Sequence, residues 1–292
     1  MVRKLLPVAF VPLLLLAACG KDDDALQVRA GSATAALQQA PEAAAKAGSA
    51  HLDLTMQLTM PGATDPVEIT GSGDFDTKAH VGAMEIDYGA FVEQLANKVP
   101  GFDASSSGFD QPMRFVVDDT TMYLDIPFLA RLTGTKGWLS VPLSEAGASS
   151  YGSLGLGADP TAMLDYLRGA GKVTEQGHEE IDGVATTKYT ATIDAAKVLE
   201  KVPADQRARV QDQLDQMGSA LTSMPITVWI DADGLPRRMA LTMDSAKVGS
   251  AAVTLDWSKY GEHVTIGVPP AADVTPAKDA LGGMAGAFLG QK

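Results

Sequence analysis

The residue best suited to chemistry is Cys19, the one cysteine in the chain. It follows Leu16-Ala17-Ala18, and before them stand Arg3, Lys4 and an apolar run over residues 5–16. The small residues allow a signal peptidase to hold an extended backbone. The thiol can take a diacylglyceryl group as a thioether, since thiolates are strong nucleophiles. The order of these features predicts an export signal that ends in a lipobox.

The alternative is an ordinary secretory signal with a chance cysteine near its end. A retained span is not expected, because the apolar run is shorter than the ~20 residues of a spanning helix. A lone cysteine in an exported chain needs a reason, and acylation supplies it. We therefore predict a signal peptide over residues 1–18 and a lipidated cysteine with its tether over 19–31. The protein would be lipid-anchored to the extracytoplasmic face of a bacterial cell membrane, where two acyl chains hold it stably.

Other residue types that could support catalysis or metal binding are scattered. The histidines are His51, His80, His178 and His263, and none has the spacing of a metal-ligand pair. We expect surface or strand-end positions for them. The chain has no nucleophile elbow and no phosphate-binding loop. We therefore predict no enzymatic activity, no catalytic residue, no metal and no cofactor beyond the acyl groups on Cys19.

A short acidic stretch, Asp231-Ala232-Asp233-Gly234, is similar to the start of a calcium loop. An EF-hand loop needs further acidic ligands at its fifth and twelfth positions. Those positions hold Leu235 and Thr242. The stretch is therefore predicted to be a hairpin turn.

Composition narrows the classes of partner. The formal net charge is −13, and it becomes more negative when Arg3 and Lys4 leave with the signal peptide. An acidic body is repelled by phosphates, so nucleic-acid binding is excluded. Hydrophobic residues make up 46% of the chain, which is enough for an apolar core without disulfides.

The elements that must position these residues are mostly strands. Leu52, Leu54, Met56 and Leu58 alternate with polar residues, which is typical of a strand with one buried face. Further strands are predicted at 67–75, 84–88, 113–117, 121–126, 137–143, 173–177, 186–193, 226–230, 235–243, 253–257 and 263–268. Helices are predicted at 32–47, 91–98, 159–169, 194–202, 204–221 and 275–289. This order indicates an α+β fold with one large antiparallel sheet.

Three local features are also predicted. Ser32 is a candidate N-cap of the first helix, and Pro41 should kink or break that helix. Gly71 and Gly73 suggest a bend or a β-bulge in the second strand.

The order of several segments resembles a known family. Ser49-Ala50-His51 opens a strand, and Asp159-Pro160 begins a helix that leads into Ile181-Asp182-Gly183-Val184. The segments 187–194 and 225–238 come next, and the second runs into a strand. This resembles the LppX/LprAFG lipoproteins of mycobacteria and, more loosely, the LolA/LolB-like superfamily. The resemblance implies a strongly curved antiparallel half-barrel with helices packed in its mouth. It also implies an apolar cavity for lipid or glycolipid acyl chains, in proteins that are not enzymes.

The same resemblance sets the domain boundaries that we expect. The lipoprotein domain would cover residues 32–270, and a tail over 271–292 would form a loose helix. Residues 101–108 form a Gly/Ser-rich loop that does not match the family pattern, and the cavity entrance depends on it.

Methionine is frequent at the alternating strand positions, and this flexible side chain suits surfaces that accept varied apolar shapes. The alternative is that these methionines fill an ordinary core, and alternation does not tell which face of the sheet is concave. Together with the resemblance, the pattern predicts cavity-lining residues at Leu54, Met56, Leu58, Met84, Ile86, Met122, Leu124, Val228, Ile230, Met239, Leu241 and Met243.

Two functions remain in competition at this point. The first is a membrane-anchored carrier that binds a lipid or glycolipid ligand and works with an envelope transport partner. The second is a structural or interaction lipoprotein that engages a membrane partner or regulates a sensor without cargo. Trp138, Trp229 and Trp257 are interpreted as sheet-packing residues rather than a carbohydrate platform.

Overall fold

The structure is a computed structural model of the 292-residue chain. It describes residues 22–59, 65–98, 108, 111–135, 137–143, 164, 167, 170–193, 224–245 and 249–281. Cys19, residues 101–107 and nearly all of the helices predicted within 159–169 and 194–221 lie outside the described residues.

The described strands form one twelve-stranded sheet in the order β12-β6-β5-β4-β3-β2-β1-β11-β10-β9-β8-β7. All neighbouring pairs in it are antiparallel except β12 with β6. The strands are β1 (Ser49–Thr59), β2 (Val67–Asp76), β3 (Val81–Asp87), β4 (Met113–Val117), β5 (Thr121–Asp125), β6 (Trp138–Pro142), β7 (Ala170–Ile181), β8 (Val184–Ile193), β9 (Met224–Asp231), β10 (Pro236–Ser245), β11 (Gly249–Ser258) and β12 (Val274–Pro276).

The sheet is open and strongly curved, with helices packed in its mouth, as the sequence predicted. Its described helices are α1 (Asp22–Ala47), α2 (Gly89–Lys98), α3 (Pro127–Thr133) and α4 (Ala277–Leu281). Helix α1 contacts β7, β9 and β1, while α2 lies on β2. The α+β fold class is therefore confirmed.

Helix α1 differs from its prediction at its N-terminus and at Pro41. It begins at Asp22, so Ser32 lies inside the helix rather than at its N-cap, and it continues through Pro41 without a break. The end of the helix is as expected. Gly48 has a φ of 93°, a left-handed value that glycine adopts without strain.

Two strand predictions were wrong in detail. Strand β2 keeps its register with both neighbours through Gly71 and Gly73, so no bulge occurs there. Residues 263–268 form no strand, although they alternate. The chain instead reaches β12, a short strand that the sequence did not predict, and then enters α4, which covers part of the predicted 275–289 helix.

Candidate functional site

One face of the sheet, here called the inner face, is apolar from β6 to β9. In the register, Leu54 of β1 lies opposite Leu255 of β11 and Gly71 of β2. Leu255 is opposite Met239, and Met239 is opposite Val228. Side chains that are directly paired across antiparallel strands share a face. These residues therefore form one row on the inner face, and each of the four side chains is buried.

The register brings every predicted cavity-lining residue to this inner face. Eight are buried, with exposed fractions of 6% or less: Leu54, Met84, Ile86, Met122, Leu124, Val228, Ile230 and Met239. The remaining four are half-buried: Met56, Leu58, Leu241 and Met243. The structure thus settles which strand face carries them, although their contact with a ligand stays a prediction.

Several inner-face residues were not singled out from the sequence. They follow from the same alternation once the register is known, and they include Leu52, Phe115, Ile226, Leu255 and Trp257. A spacing of two from a predicted residue on the same strand could have found Leu52 and Ile226. Strands β4 and β11 carry no predicted residue, so their inner-face residues follow only from the register.

The two ends of the sheet are built differently. At the turn end, short turns join β2 to β3, β4 to β5, β7 to β8, and β9 to β10. At the opposite end, here called the connection end, strands are joined through the longer segments 60–66, 88–112, 126–137 and 194–223, and through 246–248. The inner face therefore runs from an end of tight hairpins to an end of long connections.

Hydrogen bonds and ion pairs close the turn end. The Tyr260 hydroxyl donates to the carbonyl oxygen of Pro236 at 2.7 Å. Arg237 Nε donates to Asp231 Oδ2 at 2.7 Å, and the guanidinium lies over the Tyr260 ring at 5.2 Å. Burial raises the pKa of Tyr260. The Ser49 hydroxyl donates to the carbonyl oxygen of Glu262 at 2.6 Å.

Helix α1 packs into the same region. Its buried residues Ala33, Leu37, Ala40 and Ala44 recur at helical spacing and join the core cluster of the inner face. The small alanines let the helix approach the sheet closely, and its last turns reach the turn end, where a Cβ on Gly234 would lie 3.7 Å from that of Ala43.

On β1, β10 and β11 the burial of the inner face decreases toward the connection end. Leu52 and Leu54 of β1 are 1% and 2% exposed, whereas Met56 and Leu58, farther along the same strand, are half-buried. Met56 shares a row with Val253 and Leu241. The apolar surface is thus partly uncovered at the connection end of these three strands, whereas Val67, Ile69 and Ile226 of the neighbouring strands are buried there.

The outer face is polar and carries a cross-strand row of charged residues. In register, the row passes through Lys188, Trp229, Arg238, Asp256, Asp53, Ser72, Glu85, Arg114 and Asp125. Arg238 forms a bidentate pair with Asp256, with Nη2 at 2.9 Å from Oδ2, and this hydrogen bonding raises the pKa of Arg238. Arg114 pairs with Asp125 and lies over Trp138 at 5.3 Å.

Trp229 on this face is held by polar contacts. Its Nε1 donates to Glu179 Oε2 at 2.7 Å, and Lys188 lies 4.8 Å from the ring centre. The hydrogen bond from Trp229, followed by the one from Lys188, lowers the pKa of Glu179. The predicted sheet-packing role suits Trp138 and Trp229, since Arg114 of β4 contacts the first ring and residues of β7 and β8 contact the second.

Among the described residues, several acidic and histidine side chains considered as metal ligands make structural contacts instead. No three His, Cys, Asp or Glu side chains among them come together as metal ligands. Asp231 Oδ1 accepts from the backbone N–H groups of Asp233 and Leu235, both at 2.9 Å, so the acidic stretch is a hairpin turn. His51 Nδ1 lies 2.7 Å from Asp74 Oδ1 on the outer face.

The pattern of a known family matches this chain over residues 105–266, which is more than half of its length. The pattern is that of the LppX_LprAFG lipoproteins. The chain belongs to this family. The resemblance that the sequence suggested is therefore confirmed, and with it a coarse assignment to envelope-associated lipoproteins that bind or transport lipids.

The chain is also similar to individual proteins. An uncharacterised 31.2 kDa protein from the rplA–rplJ intergenic region of Streptomyces griseus is 28% identical over 264 residues, covering 87% of this chain and 82% of that protein. The Mycobacterium tuberculosis protein LppX, named as a proposed phthiocerol dimycocerosate transporter, is 34% identical over 109 residues, which is 37% of this chain and 39% of LppX. LprF of the same organism, named as a proposed diacylated glycolipid transporter, is 35% identical over 126 residues, which is 38% of this chain and 42% of LprF.

Solved structures of two LppX_LprAFG members also resemble this chain. The crystal structure of Mycobacterium tuberculosis LppX has a TM-score of 0.49 at 20% identity, covering 81% of this chain and 99% of LppX. The crystal structure of Mycobacterium bovis LprF has a TM-score of 0.44 at 22% identity, covering 82% of this chain and 98% of LprF. In the part of this chain that the structure describes, no helix combines the length and apolar character that crossing a bilayer requires.

Proposed function

We propose that this protein binds the acyl chains of a lipid or glycolipid against the inner face and carries or presents that lipid in the bacterial envelope. The observation that carries the proposal is the continuous apolar inner face, whose burial decreases toward the connection end on β1, β10 and β11. Membership of the LppX_LprAFG family supports it at the level of lipid binding or transport.

Binding would be driven by removing acyl chains from water. Each buried CH₂ group contributes ~0.8 kcal/mol, so a single long chain supplies the affinity that a carrier needs. The half-buried Met56 and Met243 can change rotamer at little cost, which lets one surface accept chains of different shape. The lipid headgroup would remain in water at the connection end.

The membrane attachment belongs to the same proposal. Acylation of Cys19 would hold the protein on the extracytoplasmic face and keep an unloaded carrier beside its source of lipid. The acidic body, with a formal net charge of −13, is repelled by anionic headgroups, so the anchor rather than the body surface would make the attachment. Sequestering a lipid needs no catalytic group, and we infer that the protein is not an enzyme.

The test is native mass spectrometry of the mature lipoprotein isolated from the membrane of an envelope-bearing host. The covalent anchor adds the same mass to every variant, so cargo is detected as additional non-covalent mass. Leu241→Trp fills the inner face near the connection end. The larger side chain would displace acyl CH₂ groups, each of which contributes ~0.8 kcal/mol when buried. Losing about two of them lowers lipid occupancy on the order of tenfold.

The matched control is Thr242→Trp, because Thr242 is the next residue on β10 and lies exposed on the outer face. Its lipid occupancy should equal that of the parent protein. A parent protein that carries no lipid and takes up no acyl probe would contradict the carrier proposal. That result would favour an interaction lipoprotein that engages a membrane partner without cargo.

A further inference from the structure

Trp257 presents a hydrogen-bond donor inside the apolar inner face. It lies opposite Leu52 in the register of β11 and β1 and is 3% exposed. Among the described residues, its Nε1 and Gln94 Oε1 are the side-chain polar atoms that are buried without a hydrogen-bond partner. Gln94 is half-buried on α2, and its amide nitrogen already donates to the carbonyl oxygen of Asp65. Trp257 is therefore the stronger candidate for a contact with a ligand.

The Trp257 Nε1–H group has no hydrogen-bond partner in the described part of the chain, and this lowers the stability of the folded protein. Leaving a buried donor unsatisfied is destabilising, and buried indole N–H groups ordinarily find a partner. Trp229 follows that rule, since its Nε1 donates to Glu179. A phenylalanine at position 257 could occupy an apolar environment without this cost.

The surroundings of Trp257 are poorly suited to a bound water molecule. A buried water typically makes about three hydrogen bonds to polar groups. Two inner-face neighbours of Trp257 in the register are Leu52, across the pair of β11 with β1, and Leu255, two residues away on β11. Their side chains offer no such partner. An acceptor brought by an apolar molecule fits this environment better.

We propose that the Trp257 Nε1–H group donates a hydrogen bond to an oxygen atom within the long chain of the bound lipid. This inference rests on the proposed function and names a class of cargo: a chain that carries a keto, ester, ether or hydroxyl oxygen. Six residues separate Leu58, near the connection end, from Leu52, opposite Trp257. At ~3.3 Å per residue, that places the oxygen roughly 20 Å inside the sheet, away from the headgroup.

The test uses stearic acid and a set of its keto derivatives, with the carbonyl at successive positions along the chain. Each derivative competes with stearic acid in an equimolar mixture for the mature lipoprotein in detergent, and native mass spectrometry measures the ratio bound. We expect the parent protein to prefer the derivatives that place the carbonyl near Trp257. The preference should be about fivefold, the effect of one net hydrogen bond.

Trp257→Phe keeps an aromatic ring and removes the N–H, so it should abolish the preference while retaining uptake of stearic acid. Retained uptake also shows that the variant is folded. The matched control is Trp229→Phe, which removes an indole N–H that is paired on the outer face, and its bound ratios should equal those of the parent.

Two results would overturn the inference while leaving the proposed function intact. One is uptake of stearic acid by the parent with no preference for any keto derivative. The other is a preference that persists in Trp257→Phe. If the parent takes up none of the probes, the proposed function and this inference fail together.

Discussion

The turn end and the connection end of the sheet share one apolar face but differ in how that face is used. At the turn end, Leu52 and Trp257 are 1% and 3% exposed, and the polar contacts of Tyr260 and Asp231 lock the adjoining turns. At the connection end, Met56 and Leu241 remain half-buried in comparable strand positions. Residues of similar hydrophobicity are therefore buried in the core at the turn end, whereas Met56 and Leu241 stay partly exposed at the connection end.

The difference follows from what packs against each region. The alanine-rich α1 joins the core cluster that contains Leu52 and Trp257, and its last turns reach the turn end. Met56 and Leu241 pack against that cluster while staying partly exposed. Stability should accordingly concentrate at the turn end and lipid entry at the connection end.

The largest effect on stability should come from Leu52→Ala at the turn end. Truncating a fully buried leucine removes apolar contacts and leaves a cavity, which costs about 2–5 kcal/mol. Urea unfolding followed by circular dichroism measures the loss. A cost below about 1 kcal/mol would show that the turn end is not tightly packed.

Leu241→Ala, near the connection end, should cost less stability, about 1 kcal/mol, because the side chain is only half-buried. It should alter lipid occupancy more than Leu52→Ala does, since it reshapes the available surface. Native mass spectrometry of both variants checks the ranking. The reverse ranking would contradict the division of roles between the two ends.

Tyr260→Phe tests the polar closure of the turn end. Losing the hydrogen bond to Pro236 should cost about 1 kcal/mol at neutral pH. Because burial raises the pKa of Tyr260, the folded protein keeps a proton that the unfolded chain releases above about pH 10.

The free energy of unfolding of the parent should therefore fall as the pH rises above about 10. Tyr260→Phe should make this fall less steep without removing it, because burial also raises the pKa of Tyr123 and Tyr189. Urea unfolding at several alkaline pH values measures the slopes. Equal slopes in the parent and the variant would show that Tyr260 ionises alike in both states.

The smallest effect should come from Thr242→Ala, on the outer face between Leu241 and Met243. An exposed substitution away from special contacts changes stability by less than about 0.5 kcal/mol, and lipid occupancy should not change. A clear loss of lipid in this variant would show that the outer face takes part in binding.

Much of this architecture could be predicted because it depends on local patterns. The alternation of β1 identified its strand and its apolar positions, and Asp231-Ala232-Asp233-Gly234 identified the hairpin between β9 and β10. Alternation failed at residues 263–268, since a strand also needs a neighbouring strand to pair with. There Val268 is 44% exposed, and the chain continues to β12 instead.

The sequence predicts which single residues of the inner face are apolar, but it does not predict that they lie side by side on one face. Alternation separates Leu54 from Asp53 without saying which of them faces the concave side, because the two faces of an isolated strand are equivalent. Only the register across the sheet brings Leu54, Met239 and Val228 into one row.

The sequence by itself determined most of the strands, the polar and apolar face of each, and the resemblance to the family, because these depend on neighbouring residues and their order. The tertiary structure decided which end of the inner face is packed and which is left partly uncovered. It also decided that the N–H of Trp257 lies among apolar side chains while that of Trp229 meets a carboxylate. Those outcomes depend on contacts between residues far apart in the chain, which no local pattern contains.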